Sequence, residues 1–165
     1  MAIQTLVEKE KGSHGFIADH FGNRNLPDKD LKAAIGYLCD DYAAAIRIAS
    51  NLGSHSRWIP YPFLSNRLKK IAEEVRNQVE LFRAEIVSLG AQPPQVEVRE
   101  REILAFRENI KRLVHDVDDH ETLAEQLVHQ RNKTTLQEVV DLLAAVVLDM
   151  ERQKDELTDI VMRLS

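Results

Sequence analysis

Residues 64–94 read LSNRLKKIAEEVRNQVELFRAEIVSLGAQPP, and this stretch decides the fold class. Its apolar residues recur every three or four positions, which places them on one side of an α-helix. Gly90 and the two prolines at 93 and 94 then interrupt the pattern, as is common at the end of a helix. The stretch therefore predicts one long amphipathic helix, from about residue 64 to 89, with its apolar side on a core.

Three further segments have the same spacing, and no segment alternates as a half-buried strand does. The predicted helices cover residues 28–52, 98–130 and 135–164. Gly53 is expected to end the first of them, and a short break separates the last two. Four amphipathic helices predict an all-α four-helix bundle over residues 28–165, preceded by an N-terminal arm, residues 1–27. The loop 54–63 contains two prolines, and its Trp58, Tyr61 and Phe63 are expected to cap one end of the core.

Composition narrows the classes of partner. The chain has 165 residues, which fits one domain, and its net charge of −5 gives no basic field for nucleic acid. Its single cysteine, Cys39, cannot form an intramolecular disulfide and fits a reducing compartment. No apolar run is long enough to span a bilayer, and the first residues lack the apolar stretch of a secretory signal. We therefore expect a cytoplasmic protein without nucleic-acid or membrane partners, in which Cys39 is structural.

Residues 115–121 read HDVDDHE, a dense set of potential metal ligands on the third predicted helix. A helix turns by about 100° per residue, so these side chains cannot all point the same way. The first histidine and the last two aspartates point away from the apolar side, Asp116 is marginal, and His120 and Glu121 face the core. Most of the motif is therefore expected to be a solvated turn of helix.

The same placement on the other helices gives an inward-facing polar set. Its members lie near the middle of the bundle and are Asp41, Gln78, His120, Glu121, Gln153 and Lys154. Burying such groups is costly unless they are paired or bind something. The alternative is that each lies at the edge of its apolar stripe and reaches water with its polar end.

Three segments resemble the ferritin-like superfamily, which includes bacterioferritins and rubrerythrins. They are VRNQVELFRAEIVSLGAQPP (75–94), DYAAAIRIAS (41–50) and VVLDMERQKDELTDIV (146–161). The resemblance implies an up-down-down-up bundle with a long crossover between the second and third helices. It also implies iron or manganese as the cofactor and pairing of bundles into dimers.

In that family each half of the bundle supplies a carboxylate and a Glu-x-x-His motif to a pair of metal ions. Here the matching positions hold Asp41 on the first helix, Val75 and Gln78 on the second, Glu121 on the third, and Met150 and Gln153 on the fourth. Both motifs have become apolar-x-x-Gln. A shift of one residue on the second helix would offer Glu74 and Asn77, which restores a carboxylate but no histidine.

This departure argues against an intact dinuclear centre, because two carboxylates cannot offset the charge of two divalent ions. In its place we expect a buried hydrogen-bonded network, in which the Lys154 ammonium pairs with Glu121 or Asp41. The network would comprise Asp41, Gln78, Glu121, Gln153 and Lys154.

Three functional interpretations follow. The first is a ferritin-like bundle in a non-catalytic structural or partner-binding role, forming a dimer and needing no cofactor. The second is a metal protein with a non-standard iron or manganese site. The ligands of this site would come from Asp41, Glu74, Asp116, His120 and Glu121, and His14 and His20 of the arm could complete it. The third is a small-molecule binder with a cavity in the bundle, whose mouth the aromatic residues of loop 54–63 would line.

Overall fold

A computed structural model describes residues 28–99 and 105–165. These residues form four helices and no strand, which confirms the all-α prediction for the described part of the chain. The helices are α1 (Asp28–Ser56), α2 (Pro62–Ser88), α3 (Phe106–Arg131) and α4 (Gln137–Leu164). The predicted arm, residues 1–27, lies outside the described residues.

The four helices form two hairpins, α1–α2 and α3–α4, that pack on each other through α1–α3 and α2–α4 contacts. The α1–α3 contacts fix the relative direction of those helices. His55, near the end of α1, contacts Asp116 in the first half of α3, whereas Asp41 contacts Gln126 farther along α3. Residue numbers rise along one helix as they fall along the other, so α1 and α3 are antiparallel.

The α2–α4 contacts follow the same rule. Arg67 bonds Asp159 and Glu74 bonds Arg152, so these two helices are also antiparallel. Since α2 is antiparallel to α1 within its hairpin, α2 and α3 run in the same direction. The segment that joins them, residues 89–105, must therefore travel the length of the bundle.

This crossover explains why the predicted start of the third helix was wrong. Residues 91–99 are not helical, and Glu97 to Arg99 lie beside Arg47 and Asn51, in the last third of α1. The 27-residue helix α2 is about 40 Å long, and the described residues 91–99 follow α1 without forming a helix. Residues 98 and 99, expected to begin the helix, belong to the crossover, and α3 begins at Phe106.

The end of α2 matches its prediction. Gly90 has a φ of 83°, the left-handed conformation that glycine adopts without strain. The Gly90 N–H donates to Val87 O at 2.9 Å, and the Ala91 N–H donates to Ile86 O at 3.1 Å. These two bonds close the last turn and satisfy carbonyl groups that the helix leaves open.

The end of α1 differs from its prediction, because Gly53 lies within the helix and α1 continues to Ser56. A Cβ atom on Gly53 would lie 3.0 Å from the guanidinium nitrogen Nη2 of Arg76, so the glycine leaves room for the end of this side chain. The additional turn is anchored by burial of His55 and Ser56, and the Ser65 hydroxyl donates to the Ser56 carbonyl. Tertiary contacts thus outweigh the low helix propensity of glycine.

The core is apolar and is formed by all four helices, with Leu38, Phe82, Leu127 and Leu157 fully buried at its centre. The loop aromatics do not cap it as predicted. Trp58, Tyr61 and Phe63 are 36%, 55% and 69% exposed, and Ile59 of the same loop is buried instead. The two prolines at 60 and 62 restrict the backbone here, and only the aliphatic side chain turns inward.

In the described residues, no helix combines the length and apolar composition needed to cross a membrane.

Candidate functional site

The buried ionisable side chains of the described residues all lie between α1 and α3. Asp41 and His55 come from α1, Asp116 and His120 come from α3, and each is at most 2% exposed. Charged groups are rarely buried so completely without a partner or a function. This seam between the two hairpins is therefore the candidate functional site.

Asp116 anchors both histidines. Its carboxylate accepts a hydrogen bond from Nδ1 of His55, across the helix interface. Its backbone carbonyl accepts a second one, from Nδ1 of His120 one turn later, at 2.8 Å. Because a carbonyl can only accept, the proton of the neutral His120 ring must be on Nδ1. Nε2 of His120 is then a buried lone pair, and neither it nor Nε2 of His55 has a hydrogen-bond partner among the described residues.

The environment of His120 favours its neutral form. Burial lowers the pKa of the imidazole below its ordinary 6.5, while the bond to the Asp116 backbone and the charge of Asp119 act in the opposite direction. Desolvation disfavours the imidazolium because it would bring a charge into the apolar core.

We expect His120 to remain mainly neutral, with its proton on Nδ1, at pH 6.5. A long-range proton–nitrogen correlation spectrum of the histidine rings would show this, with the signal assigned by a His120→Gln variant. Because the folded state holds fewer protons on His120 than the unfolded state does, its contribution to stability is present above about pH 6.5 and decreases at lower pH. A ring mostly protonated at pH 6.5 would contradict this account.

Asp41 forms the second part of the seam, about four turns away along α1. Its Oδ1 accepts a hydrogen bond of 2.8 Å from Nε2 of Gln126. Burial raises the pKa of the carboxyl to about 7, although hydrogen bonds with Gln130 and Gln126 act in the opposite direction, and the charge of Asp40 raises it further. Asp41 therefore exchanges its proton near neutral pH.

The predicted buried network is present only in part. Gln78 and Gln153 are buried as predicted, at 2% and 0% exposure, and Nε2 of Gln153 lies 3.3 Å from the Glu74 carboxylate. Lys154 does pair with Glu121 at 3.3 Å, but their side chains are 30% and 54% exposed. The prediction that Glu121 and Lys154 are buried is wrong, because His120 occupies the inward direction on that turn of α3 and Gln153 occupies it on α4.

The proposed metal ligands also separate into different places. Glu74 pairs with Arg152 on the outer side of α2 and α4, Glu121 lies at the surface, and Asp41 contacts Gln126. Only Asp116 and His120 lie together. Within residues 28–99 and 105–165, no three His, Cys, Asp or Glu side chains are placed to hold one metal ion. His14 and His20 lie outside these residues.

His55 is the site residue that sequence reasoning missed. It was assigned to a loop because Gly53 was expected to end the helix. The signal was present, since position 55 continues the apolar side of α1 that contains Ile48 and Leu52. Asp116 was considered marginal because its partner His55 was not recognised. It is only 2% exposed.

Cys39 is a free, half-buried cysteine on α1. Burial raises the pKa of its thiol, and the charge of Asp40 adds to this. A raised pKa suppresses the thiolate, which is the reactive form. This agrees with a structural role.

A surface cleft lies between α1 and α3. This cleft, of about 260 Å³, runs between Arg47 and Asn51 of α1 and Asp119 and Thr122 of α3. The aromatics of loop 54–63 do not line it, so it does not match the cavity of the third functional interpretation.

Comparison with known proteins gives no family for this chain. No protein-family model matches its sequence, and no curated protein shows significant similarity to it. Its function must be inferred from its own residues, above all from those that fill the core.

Proposed function

We propose that this protein is a ferritin-like four-helix bundle without a dinuclear metal centre, and that it acts as a non-catalytic structural or partner-binding protein. One observation carries the proposal. The four core positions that match the two Glu-x-x-His motifs are buried and hold Val75, Gln78, Met150 and Gln153.

The helix directions support the ferritin-like part of the proposal. Helices α2 and α3 are each antiparallel to α1, and α4 is antiparallel to both, which is an up-down-down-up order. Such an order requires a long connection between the second and third helices, and residues 89–105 supply it.

The register of α2 against α4 supports it further. Glu74 bonds both Arg152 and Gln153, so Val75 and Met150 lie at nearly the same height in the core. Because the helices are antiparallel, Gln78 and Gln153 lie on opposite sides of that height. Two Glu-x-x-His motifs on these helices would place two glutamates at one level with a histidine on either side, as a pair of metal ions requires.

The residues present do not fit such a pair of ions. Val75 and Met150 offer no carboxylate, and the glutamines are weak neutral ligands. The nearby carboxylates of Glu74 and Glu121 are instead paired with Arg152 and Lys154 at the surface. We therefore derive no redox step through a dinuclear centre and assign the bundle a role in association.

The effect of metal ions on thermal unfolding tests this proposal. We expect Mn²⁺, or Fe²⁺ without oxygen, to shift the unfolding midpoint of the full chain by less than about 1 °C. A ligand at a hundred times its Kd would add about 2.7 kcal/mol, which is roughly 5–10 °C for a domain of this size. A shift of that size in the unmodified protein would overturn the proposal.

A variant with the missing ligands is the matched positive control. The substitutions Val75→Glu, Gln78→His, Met150→Glu and Gln153→His place both motifs at their proposed positions. This variant should be less stable without metal, because two carboxylates would be buried. Its midpoint should rise on addition of Mn²⁺ if the ferritin-like register is correct, and a folded variant insensitive to metal would contradict that register.

A single metal ion near His55 and His120 is the second candidate. Both Nδ1 atoms are fixed by Asp116, and both Nε2 atoms are buried with no hydrogen-bond partner among residues 28–99 and 105–165. Metal-binding histidines are commonly oriented through the other ring nitrogen in this way. A shift of the unfolding midpoint that disappears in a His120→Leu variant would favour this candidate over the first.

A further inference from the structure

The outer face shared by α2 and α4 has an unusual composition, and we call it the α2–α4 face. It comprises Phe63, Arg67, Glu74 and Leu81 of α2 together with Leu148, Arg152, Asp159 and Met162 of α4. Phe63 and Leu81 are eighteen residues apart, which is five helical turns, so they point to the same side of α2. Leu148 and Met162 are four turns apart on α4.

Its apolar residues are unusually exposed. Phe63, Leu148 and Met162 are 69%, 69% and 72% exposed, and Leu81 is 51% exposed. A single exposed apolar side chain is ordinary, but several on one face mark an interaction surface. Water covers these four side chains in the single chain, at a free-energy cost that a partner would remove.

Ion pairs occupy the middle of the face. Arg67 bonds Asp159 at 2.7 Å and Glu156 at 3.2 Å, and Arg152 bonds Glu74 at 2.7 Å. The Arg67 guanidinium also lies 5.8 Å from the centre of the Phe63 ring. The antiparallel pairing of the helices places Phe63 and Met162 at one end of the face, and Leu81 and Leu148 at the other.

We propose that the α2–α4 face binds a second copy of this chain across a twofold axis through its middle. Along the face, apolar side chains lie at both ends and charged side chains lie between them, so the arrangement is the same in either direction. A twofold axis would therefore place Phe63 and Met162 of one copy against Leu81 and Leu148 of its partner, and the charged middles against each other. An isologous interface requires this kind of self-complementarity.

The size of the face fits a dimer. From Phe63 to Leu81 it is about 27 Å long, and two adjacent helices are about 20 Å wide. This is roughly 540 Å² of flat area, near the lower end of specific interfaces, which bury about 600–1,000 Å² on each partner, so we expect a weak dimer with two apolar contact regions. The charged middle makes the face unsuitable for insertion into a membrane, where the ion pairs would lose their hydration and meet no polar group, whereas a second copy offers its own charged groups to them.

This inference rests on the proposed function, since it names the partner of a bundle that acts by association. Its test is sedimentation velocity of the full chain over a range of concentrations. We expect a species of twice the 18.9 kDa chain mass, and a Leu148→Glu variant whose dimer Kd is at least about tenfold higher, because each copy would bury an unpaired carboxylate. The effect of metal ions on thermal unfolding is measured independently of sedimentation. A failure of the proposed function can therefore be distinguished from a failure of the proposed dimer.

Val87→Glu is the matched control. Val87 is 57% exposed on α2, comparable to Leu81, but it lies six residues farther on and points to another side of the helix. This variant should dimerise like the unmodified chain, whereas Leu81→Glu should behave like Leu148→Glu, all with unchanged helical content by circular dichroism. A chain that is monomeric at high micromolar concentration, or a dimer insensitive to both Leu81→Glu and Leu148→Glu, would overturn the proposal.

Discussion

Replacing Asp116 with alanine is expected to destabilise the bundle by about 3 kcal/mol. The carboxylate is 2% exposed and accepts a hydrogen bond from Nδ1 of His55 across the α1–α3 interface. Its removal leaves the His55 N–H buried without an acceptor and opens a small polar cavity. A buried donor without a partner has lost its hydration and gained nothing in return. The free-energy cost of leaving it unpaired is therefore larger than the net stabilisation that the hydrogen bond provided.

Chemical denaturation followed by circular dichroism measures this loss. Asp118→Ala is the matched control, since Asp118 lies two residues away on the same helix and its side chain is 66% exposed. It should change the free energy of unfolding by less than about 0.5 kcal/mol. If His55→Leu added to Asp116→Ala without coupling, the two side chains would not be acting as a pair, and this part of the account would be wrong.

Replacing Asp41 with asparagine should make the stability of the bundle less dependent on pH. The folded-state pKa of Asp41 is about 7, above its ordinary 3.8. Between these values the folded state holds a proton that the unfolded state has lost. The contribution of Asp41 is therefore fully present below about pH 4 and is lost as the pH rises towards 7. From pH 5 to pH 8 the loss is roughly 2–3 kcal/mol.

Urea unfolding at pH 5 and pH 8 tests this. The unmodified chain should lose roughly 2–3 kcal/mol more than Asp41→Asn over that interval. Asp40→Asn, at the exposed neighbouring position, should keep most of the pH dependence, because burial and not the Asp40 charge is the main cause of the raised pKa. Equal pH dependence in the unmodified chain and Asp41→Asn would show that Asp41 titrates at its ordinary pKa.

The two contacts between the hairpins are chemically different. The α1–α3 contact contains the buried Asp41 carboxyl, whose pKa is about 7, whereas the α2–α4 contact contains partly exposed arginine–carboxylate pairs that stay charged. Changes of pH should therefore act mainly on α1–α3. The outer α2–α4 face would keep its charges and its proposed partner.

The helix pattern could be predicted from the sequence because local signals determined it. The α2 stretch has an unbroken apolar side and a glycine stop, and both its extent and its end at Gly90 are observed. The predicted start of the third helix was wrong because residues with helical spacing there are needed for the crossover. The need for a crossover follows from the relative directions of α2 and α3, and the sequence of one helix carries no information about those directions.

The candidate site was predictable only in part, for a similar reason. Asp41, Gln78, His120 and Gln153 were placed inside correctly from their angles around each helix. Glu121 was placed wrongly because a shift of one residue rotates a side chain by about 100°. His55 was missed because a glycine within a helix is tolerated only where tertiary packing favours it, and that packing was not visible in the sequence.

The metal content of the purified full chain, produced with iron, manganese and zinc available, tests the central claim most directly. Elemental analysis should find no stoichiometric metal in a folded, helical protein. Two equivalents of iron or manganese per chain would contradict the account, because they would require a dinuclear centre in a core whose matching positions hold Val75, Gln78, Met150 and Gln153.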